Sequence, residues 1–191
     1  MEMSSLKNSL RRAVFLDRDG VLNEVVVING LPQSPTSLAD LRIVRDAPSS
    51  LARLKAAGFL LICVTNQPNV ARGIQSRETI AAIHAKLLEE LPLDDLFVCY
   101  HDDANGCDCR KPAPGLLLQG AARYGIDLSA SYMVGDRWRD IVAGHRAGCR
   151  TVWIDYGYND HWIGFPPHHT VTTLADATVL ILSLTDSQSN R

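Results

Sequence analysis

Long apolar runs are missing from this 191-residue chain, and neither sign of charge prevails. Phe59–Val64, among its longer apolar stretches, falls far short of the ~20 residues that cross a bilayer, so no membrane span is expected. A formal net charge of -2 and a pI near 6.3 exclude a general nucleic-acid surface or a polybasic membrane surface. Arg11 and Arg12 precede the apolar Ala13–Leu16, but Asp17 ends that run, so no signal peptide is expected. The cysteines number five, an odd count that suits no closed disulfide framework. Three of them cluster with a histidine, which fits metal binding in a reducing cytoplasm. No internal repeat occurs.

With 46% hydrophobic residues over this length, the chain builds one sizeable core. The reading is a single domain over 13–186, with flexible ends at 1–12 and 187–191. A strand is predicted near 13–17, and the Pro- and Ser-containing stretch 20–45 reads mainly as loop. Asp46 is positioned to cap a helix that stops at Gly58. A strand over Phe59–Val64 and a helix capped by Ser76 follow, the helix carrying Ile80, Ile83, Leu87 and Leu88 on one face. Leu96–Tyr100, Tyr132–Val134 and Arg150–Ile154 read as further strands. Helices are expected from Pro114 to Gly125, from Asp136 to Gly148, and over Leu174–Leu184, with the last seven residues frayed. Alternating strands and helices imply an α/β fold with a doubly wound parallel sheet.

The polar motifs follow the apolar strands directly. Val14-Phe15-Leu16 runs into Asp17-Arg18-Asp19-Gly20, Phe59–Val64 into Thr65-Asn66, and Tyr132–Val134 into Gly135-Asp136. Open α/β sheets place ligands at the carboxyl ends of such strands. One carboxylate there can attack phosphorus or hold a cation, and another can move a proton. Hydrolysis of a phosphate monoester needs a nucleophile (Asp17), a proton donor to the leaving alkoxide (Asp19), and a cation. Asp17, Asp19 and Asp136 form the candidate set for Mg²⁺, which prefers oxygen ligands. Thr65 and Asn66 can donate hydrogen bonds to the phosphoryl group, and Lys111 can neutralise its charge. Asp140, one helical turn past Asp136, can steady the magnesium waters or a nearby backbone group. Arg72 and Arg137 follow motif loops closely and can reach a second phosphate.

Cys99-x-His101-x5-Cys107-x-Cys109 supplies the ligand set of a closed structural zinc site, whose role would be to hold the loop that presents Arg110 and Lys111. Cys63 and Cys149 sit in apolar contexts and read as core residues. His84 and His145 fall in predicted helices as packing or surface residues. His161, His168 and His169 read as solvated, and Trp153, Trp162 and Phe165 as packing residues.

The ordered set DRDG at 17–20, TN at 65–66, Lys111 and GDRWRD at 135–140 resembles the haloacid dehalogenase superfamily of aspartate-nucleophile phosphatases. Within it, VTNQPNVARG (64–73), CDCRKPAPG (107–115) and SYMVGD (131–136) are similar to the heptose 1,7-bisphosphate phosphatases and their histidinol-phosphate phosphatase relatives. The resemblance implies Asp17 as nucleophile, Asp19 as general acid/base, Thr65 and Lys111 stabilising the phosphoryl group, and Arg110 in substrate recognition. The five residues between His101 and Cys107 are closer to the histidinol-phosphatase spacing, so the resemblance leaves both substrates open. The short gaps between motifs leave no room for a cap domain. The expectation is a Mg²⁺-dependent, zinc-stabilised phosphatase, monomeric and cytoplasmic, acting on a small phosphorylated sugar through an aspartyl-phosphate, with the C7 phosphate of a heptose 1,7-bisphosphate as the leading substrate that the resemblance implies. Its enzymatic rival is histidinol-phosphate hydrolysis, and its non-enzymatic rival is a zinc-loop interaction module, which has no need of the Asp17, Asp19, Lys111 and Asp136 set.

Overall fold

A computed structural model describes residues 10–159 and 162–189. Six strands form one parallel sheet: β1 (Ala13–Leu16), β4 (Leu60–Asn66), β5 (Asp95–Cys99), β6 (Tyr132–Gly135), β7 (Arg150–Ile154) and β8 (His169–Val171). Their order across the sheet is β5-β4-β1-β6-β7-β8, with every neighbouring pair parallel. Successive side chains of a strand face opposite sides, and β1 shows this plainly. Val14 and Leu16 pack with α1 (Ala47–Ala56), α2 (Arg77–Glu90) and α5 (Leu174–Ser189), through residues such as Leu51, Ile83 and Ile181. Ala13 and Phe15 face α3 (Gly115–Tyr124) and α4 (Trp138–Ala147), through Leu117 and Ala143. Fully buried leucines such as Leu51, Leu54 and Leu61 each contribute about 2 kcal/mol of apolar burial. The sheet is therefore covered on both faces, as a doubly wound parallel sheet requires.

The chain leaves β1 for β4 on one side and later returns to β6 on the other. The crevice at the carboxyl end of β1 is the switch point where such folds bind ligands. No cap domain is present among the described residues.

Several elements depart from the sequence reading. The stretch 20–45 is not all loop: β2 (Val26–Ile28) and β3 (Leu31–Gln33) pair antiparallel across Asn29-Gly30. Both turn residues have positive φ, 52° and 77°, the conformation a two-residue hairpin turn demands. The edge strand β8 is three residues long, too short to leave a periodic signal. Asp46 does not cap α1. Its backbone is helical (φ -90°, ψ -3°), so its side chain cannot fold back over the first turn, and it instead accepts the Ala175 N–H at the start of α5 at 2.8 Å. Ser76 does cap α2, accepting the Thr79 N–H at 3.1 Å. The closing helix continues to Ser189, past the Leu184 end expected from the sequence, with Thr185 buried within it. Arg11 exchanges backbone hydrogen bonds with Gly125 and Asp127, so the polar lead-in is tied down at its last residues. His161, read as solvated, lies outside the described residues.

Candidate active site

The carboxyl ends of β1, β4 and β6, with the loops that follow β4 and β5, converge on a cleft of about 330 Å³, lined by Asp17, Asp19, Asn66, Lys111, Asp136 and Asp140, with Arg72, Arg110, Arg137 and Arg139 around them. Asp17 lies just past β1, and its N–H bonds Val134 O of β6 at 3.0 Å, which fixes its backbone between the two strands. Lys111 is 2% exposed and spends its ammonium on three acceptors: Asp17 Oδ1 (2.7 Å), Asp140 Oδ1 (2.6 Å) and Val64 O (2.7 Å). Burial opposes its charge, but Asp140 and Asp17 outweigh that and hold its pKa above the usual lysine range. Burial pushes Asp17 up to about 7, with Asp140 and Asp19 adding to the rise and Lys111 opposing it.

Asp136 is 2% exposed, and neither of its carboxylate oxygens has a partner in good hydrogen-bond geometry. The Tyr158 hydroxyl stands close enough that burial first, then the Asp136 carboxylate, raise its pKa. Burial first, then Asp17 and Asp140, raise its pKa well above the ordinary carboxylate value. A buried carboxylate without well-placed donors is costly unless a cation compensates it. Asp17, Asp136 and Asp140 bring one oxygen each within 4.8 Å of one another. Three carboxylates against one ammonium leave two negative charges, which a divalent cation cancels. The donor set is all oxygen, so it fits Mg²⁺. Asp140 thus joins the predicted pair, while Asp19, also predicted as a magnesium ligand, has its carboxylate engaged elsewhere.

Two glycines make this crowding possible. A Cβ on Gly20 would stand 2.0 Å from Asp136 Oδ2, and its φ of 87° disfavours any side chain. A Cβ on Gly135 would meet Asp140 Cβ at 2.2 Å. Asp140 itself accepts the Arg137 N–H at 3.0 Å, which closes the first turn of α4.

Asp19 is surrounded by donors. Arg18 grips both its oxygens (Nη2 at 2.8 and 2.9 Å, Nε at 3.0 Å), Asn23 donates at 3.0 Å, Ser34 at 2.9 Å and Gln67 at 2.8 Å. Burial works against its charge, but Arg18 and these hydrogen bonds prevail and lower its pKa. The free protein therefore holds Asp19 as a carboxylate. Ser34 follows β3, so the hairpin absent from the sequence reading delivers one of these donors. Gln67 also donates to Thr65 Oγ1 at 2.9 Å, which orients that hydroxyl. Thr65 is 1% exposed at the end of β4. The amide of Asn66 brackets Lys111, accepting its N–H at 3.0 Å and donating to its carbonyl at 2.9 Å. Asn66, expected to donate to the phosphoryl group, lines the cleft with its amide engaged by the lysine loop, which it positions.

Arg110 and Arg139 both pair with Asp103, at 2.9 and 3.2 Å, and Arg72 lies 3.8 Å from Asp102. Arg139 is a cleft residue the sequence reading passed over; only its position three residues past Asp136 hints at it. Asp102 and Asp103 belong to the loop bounded by Cys99, His101, Cys107 and Cys109. The three Sγ atoms lie 3.0–3.7 Å apart, and His101 Nδ1 lies 3.7 and 3.5 Å from Cys99 and Cys109. Three thiols and one imidazole converging on a point fit a tetrahedral zinc. The N–H of Arg110 lies near Cys107, whose thiol sits at about 7: burial opposes the fall, but backbone N–H groups and the neighbouring thiols outweigh it. Cys63 and Cys149 are buried away from this cluster, as expected. Trp153 packs against Trp162 and donates to Asp136 O at 3.2 Å, so one packing residue also braces the site.

The chain is similar to known proteins in sequence and in fold. Residues 108–177 match the HAD-hydrolase-like family profile. The D-glycero-beta-D-manno-heptose-1,7-bisphosphate 7-phosphatase of Pseudomonas aeruginosa is 36% identical over 166 residues, covering 82% of this chain and 88% of that protein. The enzyme of the same name from Bordetella bronchiseptica is 38% identical over 146 residues, covering 72% of this chain and 77% of its own length. A crystal structure of the D,D-heptose 1,7-bisphosphate phosphatase from B. bronchiseptica, complexed with magnesium and phosphate, superposes with a TM-score of 0.74 at 29% identity, covering 91% of this chain and 99% of that one. No helix among the described residues is long and apolar enough to cross a membrane. A cleft built on a buried aspartate, its lysine and an orphaned second carboxylate, together with these likenesses, shows that the chain belongs to the HAD-like phosphoric monoester hydrolases, in the family of the heptose-1,7-bisphosphate 7-phosphatases.

Proposed function

We propose that this protein removes the C7 phosphate of D-glycero-D-manno-heptose 1,7-bisphosphate, with Asp17 as nucleophile and Asp19 as general acid and base. The observation that carries the substrate is the cluster of arginines in the cleft beside the phosphoryl site, three of them braced on Asp102 and Asp103. Lys111 and the cation site serve the transferred phosphoryl group, and Arg72, Arg110, Arg137 and Arg139 line the same cleft beyond it. A monophosphate with a cationic amine has no use for four arginines, whereas a second phosphate does. The curated relatives act, by their names, on the bisphosphate.

One Asp17 oxygen attacks phosphorus and forms the O–P bond while the C7 ester P–O bond breaks. The electron pair of that bond stays with the sugar oxygen, which takes the proton of Asp19 and leaves as the alcohol. Arrival of a phosphate dianion beside Asp19 raises its proton affinity by like-charge repulsion, which loads the acid that the free protein holds ionised. Asp19, again a carboxylate, then takes a proton from the water whose oxygen attacks phosphorus; the Asp17 O–P bond breaks, its electron pair returns to the Asp17 carboxylate, and inorganic phosphate leaves. The Thr65 hydroxyl and Lys111 stabilise the equatorial oxygens. Asp17, Asp136 and Asp140 would hold Mg²⁺, which supplies charge neutralisation at the phosphoryl oxygens. Cys99, His101, Cys107 and Cys109 would hold zinc, which orders the loop presenting Arg110 and Lys111.

The test is kcat/KM for heptose 1,7-bisphosphate against histidinol phosphate. A ratio of at least about tenfold is expected, which needs only about 1.4 kcal/mol of differential transition-state binding. If histidinol phosphate is the better substrate, the short zinc loop is the truer signal. Arg110→Ala is expected to shrink the ratio more than it slows a generic aryl phosphate.

A further inference from the structure

Arg18 is fully buried, so each of its donors needs a partner inside the protein. Two of its nitrogens grip Asp19. The third, Nη1, lies 3.1 Å from Nε2 of His84, a residue 66 positions away on α2 and outside the cleft. An arginine only donates, so His84 accepts through Nε2 and carries its proton on Nδ1. His84 is 7% exposed among Ile80, Ile83 and Leu87, where an aliphatic side chain would serve the core without a desolvation cost. Burial and the adjacent Arg18 charge depress its pKa to about 4, so the ring stays neutral and keeps its acceptor. The helix thus gives up an apolar core position to present one acceptor to one guanidinium nitrogen.

We propose that His84 is a positioning residue for the general acid, acting through Arg18 to fix the carboxyl of Asp19 in the cleft. This inference rests on the reading of Asp19 as general acid. With the acceptor removed, Nη1 must turn toward water or another carbonyl, and the bidentate grip on Asp19 turns with it. Asn23, Ser34 and Gln67 still hold the carboxylate, so the loss is partial. General-acid catalysis contributes on the order of 10²–10⁴, and a partly misdirected acid forfeits about tenfold of that.

A change that merely loosened the fold would slow every substrate alike. A change that disables the acid slows only substrates whose leaving group needs a proton. The experiment measures kcat/KM, which reports the steps through leaving-group departure, for heptose 1,7-bisphosphate and for p-nitrophenyl phosphate, whose phenolate departs unprotonated. The proteins are the parent, His84→Leu, His84→Gln and Asp19→Asn. His84→Leu is expected to lose about tenfold on the sugar phosphate and less than about twofold on the aryl phosphate. His84→Gln, whose amide oxygen restores an acceptor facing Arg18, is expected to recover most of the loss. Equal losses on both substrates, or a glutamine variant no better than leucine, overturn the inference. If His84→Leu does not fold, His84→Asn, whose amide is one methylene shorter, takes its place in the comparison with glutamine. If Asp19→Asn itself shows no leaving-group dependence, the acid reading of Asp19 falls, and the role of His84 with it. If Asp19→Asn shows that dependence and the His84 variants do not, only the role of His84 is refuted.

Discussion

Replacing Lys111 with methionine removes the one cation buried among three carboxylates while leaving a side chain of similar reach. In the parent, the ammonium contacts Asp17 at 2.7 Å and Asp140 at 2.6 Å, and both ends of the latter pair are 2% exposed. Removing one partner of a buried pair leaves an uncompensated charge, a loss of about 3–5 kcal/mol. For a chain of this size that lowers Tm by roughly 10 °C. Urea and thermal unfolding of chelator-treated protein measure the loss. The reasoning assigns the cost to the stranded carboxylates, so a second change tests the cause. Asp140→Asn keeps an oxygen to accept the Arg137 N–H and removes one charge. In the Lys111→Met background it is expected to restore about 1–2 kcal/mol, whereas alone in the parent it destabilises. A Lys111→Met cost below about 1 kcal/mol, or a further loss on adding Asp140→Asn, refutes the electrostatic account.

Gly20→Ala is expected to lower both stability and activity, because the new Cβ would occupy the place of Asp136 Oδ2; unchanged kcat contradicts the crowding argument. One zinc per chain is expected in freshly purified protein, and Cys107→Ser is expected to lower the zinc content, lower Tm and raise KM; elemental analysis without zinc removes the idea. The His84 ring has a folded-state pKa of about 4 against 6.5 unfolded, so its neutral form stabilises the fold above about pH 6.5. That contribution is lost as pH falls toward 4, approaching about 3 kcal/mol. His84→Gln has no ring to titrate, so the parent's stability is expected to fall more steeply than the variant's between pH 6.5 and 4; parallel profiles in urea unfolding contradict this.

The sheet and the carboxylates and lysine that line the cleft were legible because both rest on local patterns. Val14-Phe15-Leu16, the Phe59–Val64 run and Tyr132–Val134 are buried on both faces and therefore continuously apolar, and each hands the next polar residue to the crevice. The Cys99-x-His101-x5-Cys107-x-Cys109 spacing likewise carries its own geometry. Contacts spanning long separations were not legible. Arg18 reads as the variable residue between two aspartates, and nothing local ties it to His84. Gln67 and Ser34 meet at Asp19 from separate elements, 48 and 15 positions away. The β2–β3 hairpin did have a signal, Asn29-Gly30 after an apolar run, but its exposed valines and nearby prolines resemble a loop. Asp46 shows the opposite failure. Its residue type suits a cap, but its backbone conformation aims the side chain at a helix that begins 128 positions later.

The central claim is that Asp17 attacks the C7 phosphate of a heptose 1,7-bisphosphate. Phosphorus NMR of that substrate, with Mg²⁺ and the parent protein or its Asp17→Asn variant, tests it most directly. The account expects the primary-ester C7 resonance to convert to inorganic phosphate while the C1 glycosyl phosphate persists, with no conversion by a folded Asp17→Asn protein. Loss of the C1 resonance, or turnover by Asp17→Asn near the parent's rate, would contradict it.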